Sequence, residues 1–402
     1  MNFYVGVDVS KFKHTVAIIN NEGEVLLSSK NFANDREGFN SLLNDLGLLG
    51  LKEHVFIGME ATGHYMNCLA KFLVNHGYKV QVYNPFLIDR FRGSETNNGA
   101  KTDKLDAMLI AKYVSTHAFA SSPSLSYNIE ELRRFSRAKY FFKRDKTRAY
   151  NHLHRYLDEV FPEFVIFFSM NEDGKKKPQG RNLFDSPTIR YLLFNYPSAQ
   201  KMASMRKETA DKLKTMSKGS FSYVKFQNLR NKAKNSIGFT SPGSEQIIKS
   251  LIEQIINIDA QIQVIDDNCE LILAEINSPI TTIHGLGKSL SAMIIGEIGD
   301  INRFDHPDKL VKFAGLDIRI YQSGTLQRFG KLTKKGSPVL RYALTMAVQK
   351  LRIHSSIFAE YYAQKIAQKK KETVAIVSTA RKLVRVIWKM LTTDQVFENL
   401  FK

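Results

Sequence analysis

The chain has 402 residues, 43% of them hydrophobic, and carries 58 Lys and Arg against 39 Asp and Glu, a formal net charge of +19. That length allows two or three domains with cores of their own, and such a basic surplus points to a polyanion, most simply nucleic acid. No stretch approaches the roughly 18 apolar residues of a membrane span. Position 8 is charged where a secretory signal would still be apolar, and Cys68 and Cys269 give neither a disulfide framework nor a metal knuckle. A reducing bacterial cytoplasm is therefore expected, with association to the nucleoid when the protein is active.

Phe3–Val9, Thr15–Asn20 and Glu24–Ser29 read as three strands, with Asn21-Glu22-Gly23 as a hairpin turn. Asp8 sits in the first, inside an apolar run that has no structural use for a carboxylate, since an unpaired buried charge is costly. A helix over Glu37–Leu46 precedes a second apolar run, His54–Glu60, which ends on a carboxylate and is broken by Ala61-Thr62-Gly63. His64–His76 is helical, Val80–Tyr83 a short strand, and Pro85–Arg92 another helix. Strands alternating with helices from residue 54 onward predict parallel strands covered by helices.

Arg92–Lys101 has turn chemistry, and Ser121-Ser122-Pro123-Ser124 closes the domain. Between them Lys101-Thr102-Asp103-Lys104-Leu105-Asp106-Ala107 opens a helix running to about Val114. Asp103 and Asp106, three residues apart, share a helix face. Either acid could simply complement a helix N-terminus, and Glu60 could be a solvated strand end. Together, two strand-borne acids and a helix-borne pair are what a two-metal phosphoryl-transfer site needs. Mg²⁺ takes hard oxygen ligands, keeps several waters and draws its last ligands from substrate phosphate.

In this order Val5-Gly6-Val7-Asp8-Val9-Ser10-Lys11, Glu60-Ala61-Thr62-Gly63 and Lys101–Ala107 resemble the DEDD transposases of bacterial insertion sequences. Those recombinases are guided by a structured bridge RNA and are related to pilin-gene invertases. The resemblance implies an α/β domain over residues 1–125 with the RuvC branch of the ribonuclease H fold. It also implies that Asp8, Glu60, Asp103 and Asp106 are catalytic and bind Mg²⁺, two ions in all. Three antiparallel strands with Asp8 on the first match the opening of such a sheet. The remainder is expected to be α-helical: a basic and coiled-coil region over 126–277, then a transposase domain over 278–402.

Ile129–Phe161 is a long helix with nine Lys or Arg between Arg133 and Arg155 and a single acid, Asp145. Arg133, Arg134, Arg137, Lys143, Arg144 and Arg148 are candidates for nucleic-acid phosphates, with interleaved aromatics for stacking on bases, and RNA is the expected ligand. A solvated face whose aromatics pack inward is the bland alternative. Asn171–Arg181 reads as a linker, and 182–240 as short helices without functional signals.

In Glu245–Ile276 the residues Ile248, Leu251, Ile255, Ile258, Ile262, Ile265, Cys269, Ile272 and Ile276 alternate spacings of three and four. That heptad seam fits an intramolecular antiparallel pair or an intersubunit coil, and the resemblance adds a dimerising coiled coil. A dimer or tetramer is expected, with the seam bringing one chain's acids to another chain's serine.

Ser278-Pro279 ends that helix, and Ile283-His284-Gly285-Leu286-Gly287-Lys288 resembles a helix-hairpin-helix start, with Lys288 toward phosphate; a tight turn between core helices fits as well. Phe313–Leu340 resembles the family's C-terminal transposase domain, which implies Ser323 of Gln322-Ser323-Gly324 as the catalytic nucleophile. Ser289, Ser291 and Ser337 compete on composition, but only Ser323 precedes a Gly that lets DNA approach the backbone. The basic loop Arg328–Lys335, with Arg328, Lys331, Lys334 and Lys335, is expected against DNA. Val339–Ile353, Ser356–Lys371 and Thr373–Leu391 read as amphipathic helices, with Trp388 in a core.

Three functions meet these features. The leading one is a transposase that moves its own insertion element between target and donor DNA chosen by the RNA. A junction-resolving nuclease would use the acids and water alone, without a covalent intermediate. A silent nucleic-acid-binding protein would leave Asp8 unexplained.

Overall fold

The computed structural model describes residues 1–61, 65–95, 102–119, 127–170, 182–323 and 326–400, with only the backbone described at 319–323, 326–329, 331 and 399–400. The loop tips expected around 96–101, 121–124 and 171–181 lie outside the described residues. Contacts divide the chain into two compact units, Met1–Ser124 and Leu125–Lys402. Among the described residues no helix is long and apolar enough to cross a membrane.

The first unit runs β1 (Phe3–Val9), β2 (Lys13–Asn20), β3 (Val25–Ala33), α1 (Arg36–Gly47), β4 (Val55–Glu60), α2 (Met66–Asn75), β5 (Lys79–Tyr83), α3 (Pro85–Glu95) and α4 (Asp103–Thr116). Its sheet has the order β3-β2-β1-β4-β5, with β1–β2 and β2–β3 antiparallel and β1–β4 and β4–β5 parallel. This mixed sheet is compatible with a ribonuclease H-like domain. The β2–β3 ladder is longer than expected, pairing Lys13 with Ala33, because its end carries polar residues that an apolar alternation does not mark.

Side chains alternate across a strand, and both faces of this sheet are covered. Val5, Val7 and Val9 of β1 join Ile57 and Met59 of β4 in a core closed by Phe39, Leu42 and Leu46 of α1 and Leu69 and Leu73 of α2. The other face presents Tyr4, Gly6 and Asp8 on β1 beside Phe56, Gly58 and Glu60 on β4, and it carries α4. Gly6 and Gly58 are register partners. A Cβ on Gly6 would lie 2.1 Å from the Ala107 carbonyl oxygen and 2.3 Å from the Ala111 nitrogen, and one on Gly58 would lie 2.3 Å from Val114 Cγ2. The helix thus rests on bare backbone.

The second unit begins with α5 (Tyr127–Val160), α6 (Glu163–Ser169), α7 (Pro187–Asn195), α8 (Ala199–Ala203), α9 (Lys207–Met216), α10 (Tyr223–Lys234) and α11 (Pro242–Ile276). It continues with α12 (Lys288–Ile298), α13 (Pro307–Phe313), the antiparallel hairpin β6 (Ile318–Ser323) and β7 (Leu326–Leu332), α14 (Pro338–His354), α15 (Ser356–Ala367) and α16 (Glu372–Thr393). The regions expected at 126–277 and 278–402 lie together here, since Leu132 of α5 and Ile265 of α11 share one core with α12, α14 and α16. A second core joins the far ends of α5 and α11 to α6–α10. Trp388 packs against the first core and donates its indole N–H to the Phe304 carbonyl at 2.7 Å.

Polar contacts order α5 and α11 as an antiparallel pair. Asn128 donates to Glu275 at 2.9 Å, Lys146 to Asp259 at 2.5 Å, and the Ser244 hydroxyl to Glu159 at 2.7 Å. The seam of α11 is therefore buried against α5 of the same chain, the intramolecular antiparallel pair of the two arrangements the periodicity allows. Its fully buried members are Ile248, Ile252, Ile255, Ile258, Ile262, Ile265, Cys269 and Leu273, while Leu251, Ile272 and Ile276 are only partly covered. Lys146 is buried between Asp185, at 2.6 Å, and Asp259, with Arg190 closing on Asp259 at 2.5 Å. Burial pulls the Lys146 ammonium down, but its two carboxylates outweigh it and hold the group above its ordinary range.

Gly6→Ala is expected to destabilise the first unit by on the order of 3 kcal/mol, because a methyl there meets helix backbone that cannot rotate away. Urea unfolding followed by circular dichroism measures this; a midpoint equal to wild type would mean that α4 is not seated on β1.

Candidate active site

Alternation places Asp8 two residues beyond Gly6 and Glu60 two residues beyond Gly58, so both acids share the sheet face that carries α4. They stand at the C-terminal ends of the adjacent parallel strands β1 and β4. Helix α4 crosses this face with Ala107 and Ala111 over Gly6 and Val114 over Gly58, and Phe119 beyond it stacks edge-on against Phe56 at 5.1 Å. Its C-terminal end thus lies toward the strand starts and its first turn toward Asp8 and Glu60. Thr102 caps that turn, accepting from the Leu105 amide at 3.2 Å. The backbone brings all four predicted acids to one edge of the sheet.

Their environments differ. Asp8 is half-buried and Glu60 buried, at 8% exposure. Asp106 is buried, and Arg92 of α3 places Nη1 2.8 Å from its carboxylate. Asp103 is exposed, with the Lys13 ammonium 3.7 Å away. Lys13, Thr15, Ser29, Asn31, Thr102, Asp103 and Lys104 line a polar hollow of about 410 Å³ beside it. Arg92 and Lys13 were not singled out from the sequence. The available signal was helical spacing, since Arg92 lies one turn beyond the buried Ile88.

Hard carboxylate oxygens at one corner are the donor set that Mg²⁺ or Mn²⁺ takes. Residue types and backbone placement fit such an ion. Among the described residues, however, no three His, Cys, Asp or Glu side chains form a group that could hold one as they stand. Instead Lys13 stands against Asp103 and Arg92 against Asp106.

Ser323 is the last residue of β6, paired with Leu326, so it stands at the mouth of the hairpin turn. Arg328 to Leu332 belong to strand β7 and not to the basic loop expected there; a five-pair ladder with β6 absorbs them. Their side chains up to Lys331 lie outside the described residues, while Lys334 and Lys335 are exposed in the turn that follows. The hairpin root is fastened by backbone bonds from Thr333 to Asp317 at 2.8 Å and from Ser337 to Phe313 at 2.9 Å. The Gly285-Leu286-Gly287 segment is a tight turn: Gly285 takes φ +88°, and a Cβ on it would meet His354 at 2.8 Å. Lys288 is exposed there and pairs with Glu270.

The basic helix α5 divides into inner and outer rows. Arg133 donates to the Gly296 carbonyl at 2.8 Å, and burial lowers its pKa. Arg137 holds the fully buried Glu297 at 2.7 Å, and Ser337 donates to the same carboxylate at 2.6 Å. Lys139 bonds Asp266 and, at 2.5 Å, the Ser289 hydroxyl. Lys143 is half-buried, and burial with its neighbours Lys146 and Lys139 lowers its pKa. Arg133 and Lys139 face other helices, whereas Arg137 reaches Glu297 with a side chain that is itself 55% exposed. Arg134, Arg144 and Arg148 remain outward, paired with near neighbours on their own helix.

The five-stranded mixed sheet is compatible with the ribonuclease H-like domain of a transposase, and the family models bear that class out. A DEDD transposase family model matches residues 5–162, and the model of the transposase IS116/IS110/IS902 family matches residues 277–363. The chain belongs to this IS110-type family of insertion-sequence transposases. It is 22% identical to the insertion element IS116 uncharacterized 44.8 kDa protein of Streptomyces clavuligerus, over 98% of this chain and 96% of that one. It is 23% identical to the mini-circle putative transposase for IS117 of Streptomyces coelicolor, over 90% and 87%. It is 22% identical to the pilin gene-inverting protein of Moraxella bovis, over 98% of each.

The two rows of α5 make opposite predictions. Arg137→Ala takes the guanidinium from Glu297, which is 1% exposed and still accepts from Ser337; with the Arg137 side chain 55% exposed, the loss should be on the order of 1–2 kcal/mol of stability. Arg144→Ala should cost under about 0.5 kcal/mol, as expected of an exposed charge. Thermal unfolding of the two variants checks this; equal losses would mean that the inner and outer rows do not differ.

Proposed function

We propose that the chain cuts and rejoins DNA to move its insertion element, with Asp8, Glu60, Asp103 and Asp106 as the ligands of divalent metal and Ser323 as the nucleophile. The observation that carries this reading is the seating of α4 on Gly6 and Gly58, which brings its first-turn acids to the edge where both strand acids end. A divalent ion held there, Mg²⁺ by preference and two by family likeness, supplies Lewis-acid polarisation of the scissile phosphate. Asp8 and Glu60 offer ligands fixed by adjacent strands, and Asp103 faces solvent where substrate enters.

Ser323 Oγ bonds to phosphorus while the bond from phosphorus to the departing strand's oxygen breaks, and the hydroxyl proton passes to that oxygen. The phosphodiester so formed keeps the bond energy for rejoining. Arg134, Arg144 and Arg148 are the outward cations of α5, and with the +19 charge they support contact with a structured guide RNA. Lys334 and Lys335 face the DNA backbone. Self-association into a dimer or tetramer uses a face other than the α11 seam, which α5 already covers.

A nicked DNA substrate that traps the covalent stage tests the proposal. Wild type is expected to give a denaturant-stable protein–DNA adduct, Ser323→Ala none, and Asp8→Ala no strand cleavage with its circular dichroism unchanged. An adduct persisting in Ser323→Ala, or normal recombination by Asp8→Ala, would refute the assignment. Metal-dependent cutting without any adduct would favour the junction-resolving nuclease.

A further inference from the structure

The two acids on the first turn of α4 are held in unequal ways. Lys13 and Asp103 are 3.7 Å apart with both side chains more than half exposed, a contact that water and salt weaken. Arg92 and Asp106 are 2.8 Å apart, with side chains 16% and 7% exposed. Removing one partner of such a pair leaves the other charge buried and uncompensated, which makes the contact costly to break even though its geometry is not that of a hydrogen bond. Arg92 reaches Asp106 from α3, where Ile88 one turn earlier is buried in the same small core as Ile110 and Tyr113 of α4. Helix packing therefore aims this side chain at the carboxylate.

Carboxylates that are to share an ion repel one another until a cation stands between them. Here a cation is built in. We propose that Arg92 is a competing cation: it occupies Asp106 in the metal-free protein and has to leave before that carboxylate can ligate a divalent ion. Metal entry is thereby coupled to release of the C-terminal end of α3 from α4. This rests on the reading of the four acids as metal ligands.

Titration calorimetry of Mn²⁺ into the full chain tests the exchange, with thermal unfolding in the presence and absence of Mn²⁺ as a second readout. Arg92→Gln should bind Mn²⁺ roughly tenfold tighter, the size of one charge-assisted contact no longer displaced. It should melt lower than wild type without metal and gain more on adding it. Arg92→Lys, which keeps the charge but replaces the planar guanidinium with a more strongly hydrated ammonium, should fall between the two and serves alone if Arg92→Gln does not fold. Binding that is unchanged or weaker in both variants overturns the competition. Asp8→Asn separates this from the reading beneath it. Metal binding in wild type that is lost in Asp8→Asn upholds the acids as ligands whatever the Arg92 variants do. Wild type and Asp8→Asn binding alike, or neither binding, overturns both.

Discussion

Helix α4 touches the sheet at two places where the strands have no side chain. Gly6 and Gly58 are neighbours in the ladder, and each stands two residues before an acid. That repeat of two is what puts Asp8 and Glu60 on the helix-bearing face. Any side chain at either glycine would lift α4 and move its first turn, where Asp103 and Asp106 stand. The placement of four acids therefore depends on two absent methyl groups. The same slot explains the run Ala107, Ile110, Ala111 and Val114, whose small members meet β1 and whose larger ones meet β4.

Charge is organised on the same inner and outer logic throughout. Between Arg133 and Arg155 α5 has one acid among nine basic residues, but the acids that answer its inner cations stand elsewhere in sequence: Asp259 and Asp266 on α11, Glu297 on α12, and Asp185 before α7. A window of sequence cannot see them. Buried ion pairs add little net stability against apolar substitutes, because desolvation offsets the attraction. What they supply here is register. Lys139 and Lys146, seven residues apart, meet Asp266 and Asp259, also seven apart, and a slip of either helix would leave charges buried without partners.

The strands, the four acids and the helix start were legible because each rests on a local rule: alternation, an acid in an apolar run, and Thr102 as an N-cap. The partner of the α11 seam was not legible, since periodicity reports that a face is apolar and not what covers it. Its drift was also hidden. From Ile248 to Leu273 the buried positions take seven steps over 25 residues, closer to the 3.6-residue period of a straight helix than to a strict heptad. That is why Ile252 and Leu273 replace Leu251 and Ile272 in the contact. Arg92 escaped for another reason: its partner lies 14 residues away across a segment of turn chemistry, and only the packing of α3 on α4 joins them.

The serine poses a different problem, because nothing within Ile320–Leu326 is a base by residue type. A hydroxyl in such a stretch attacks phosphate only if the phosphate is polarised by something brought from outside the hairpin. What the hairpin can supply is position, and its root is built for that. Besides the backbone bonds at Thr333 and Ser337, the Arg341 guanidinium donates to the Ala314 and Lys334 carbonyls at 3.4 and 3.3 Å. Ser337 in turn bonds Glu297, the carboxylate that Arg137 neutralises. A basic residue that counted toward nucleic-acid binding in the sequence thus anchors the segment leading from the hairpin into α14. Accurate placement of a weak nucleophile is worth large factors in rate when the reacting atoms are otherwise poorly matched. Arg137 is thus tied to the root of the hairpin through Glu297 and Ser337, while its own side chain stays 55% exposed.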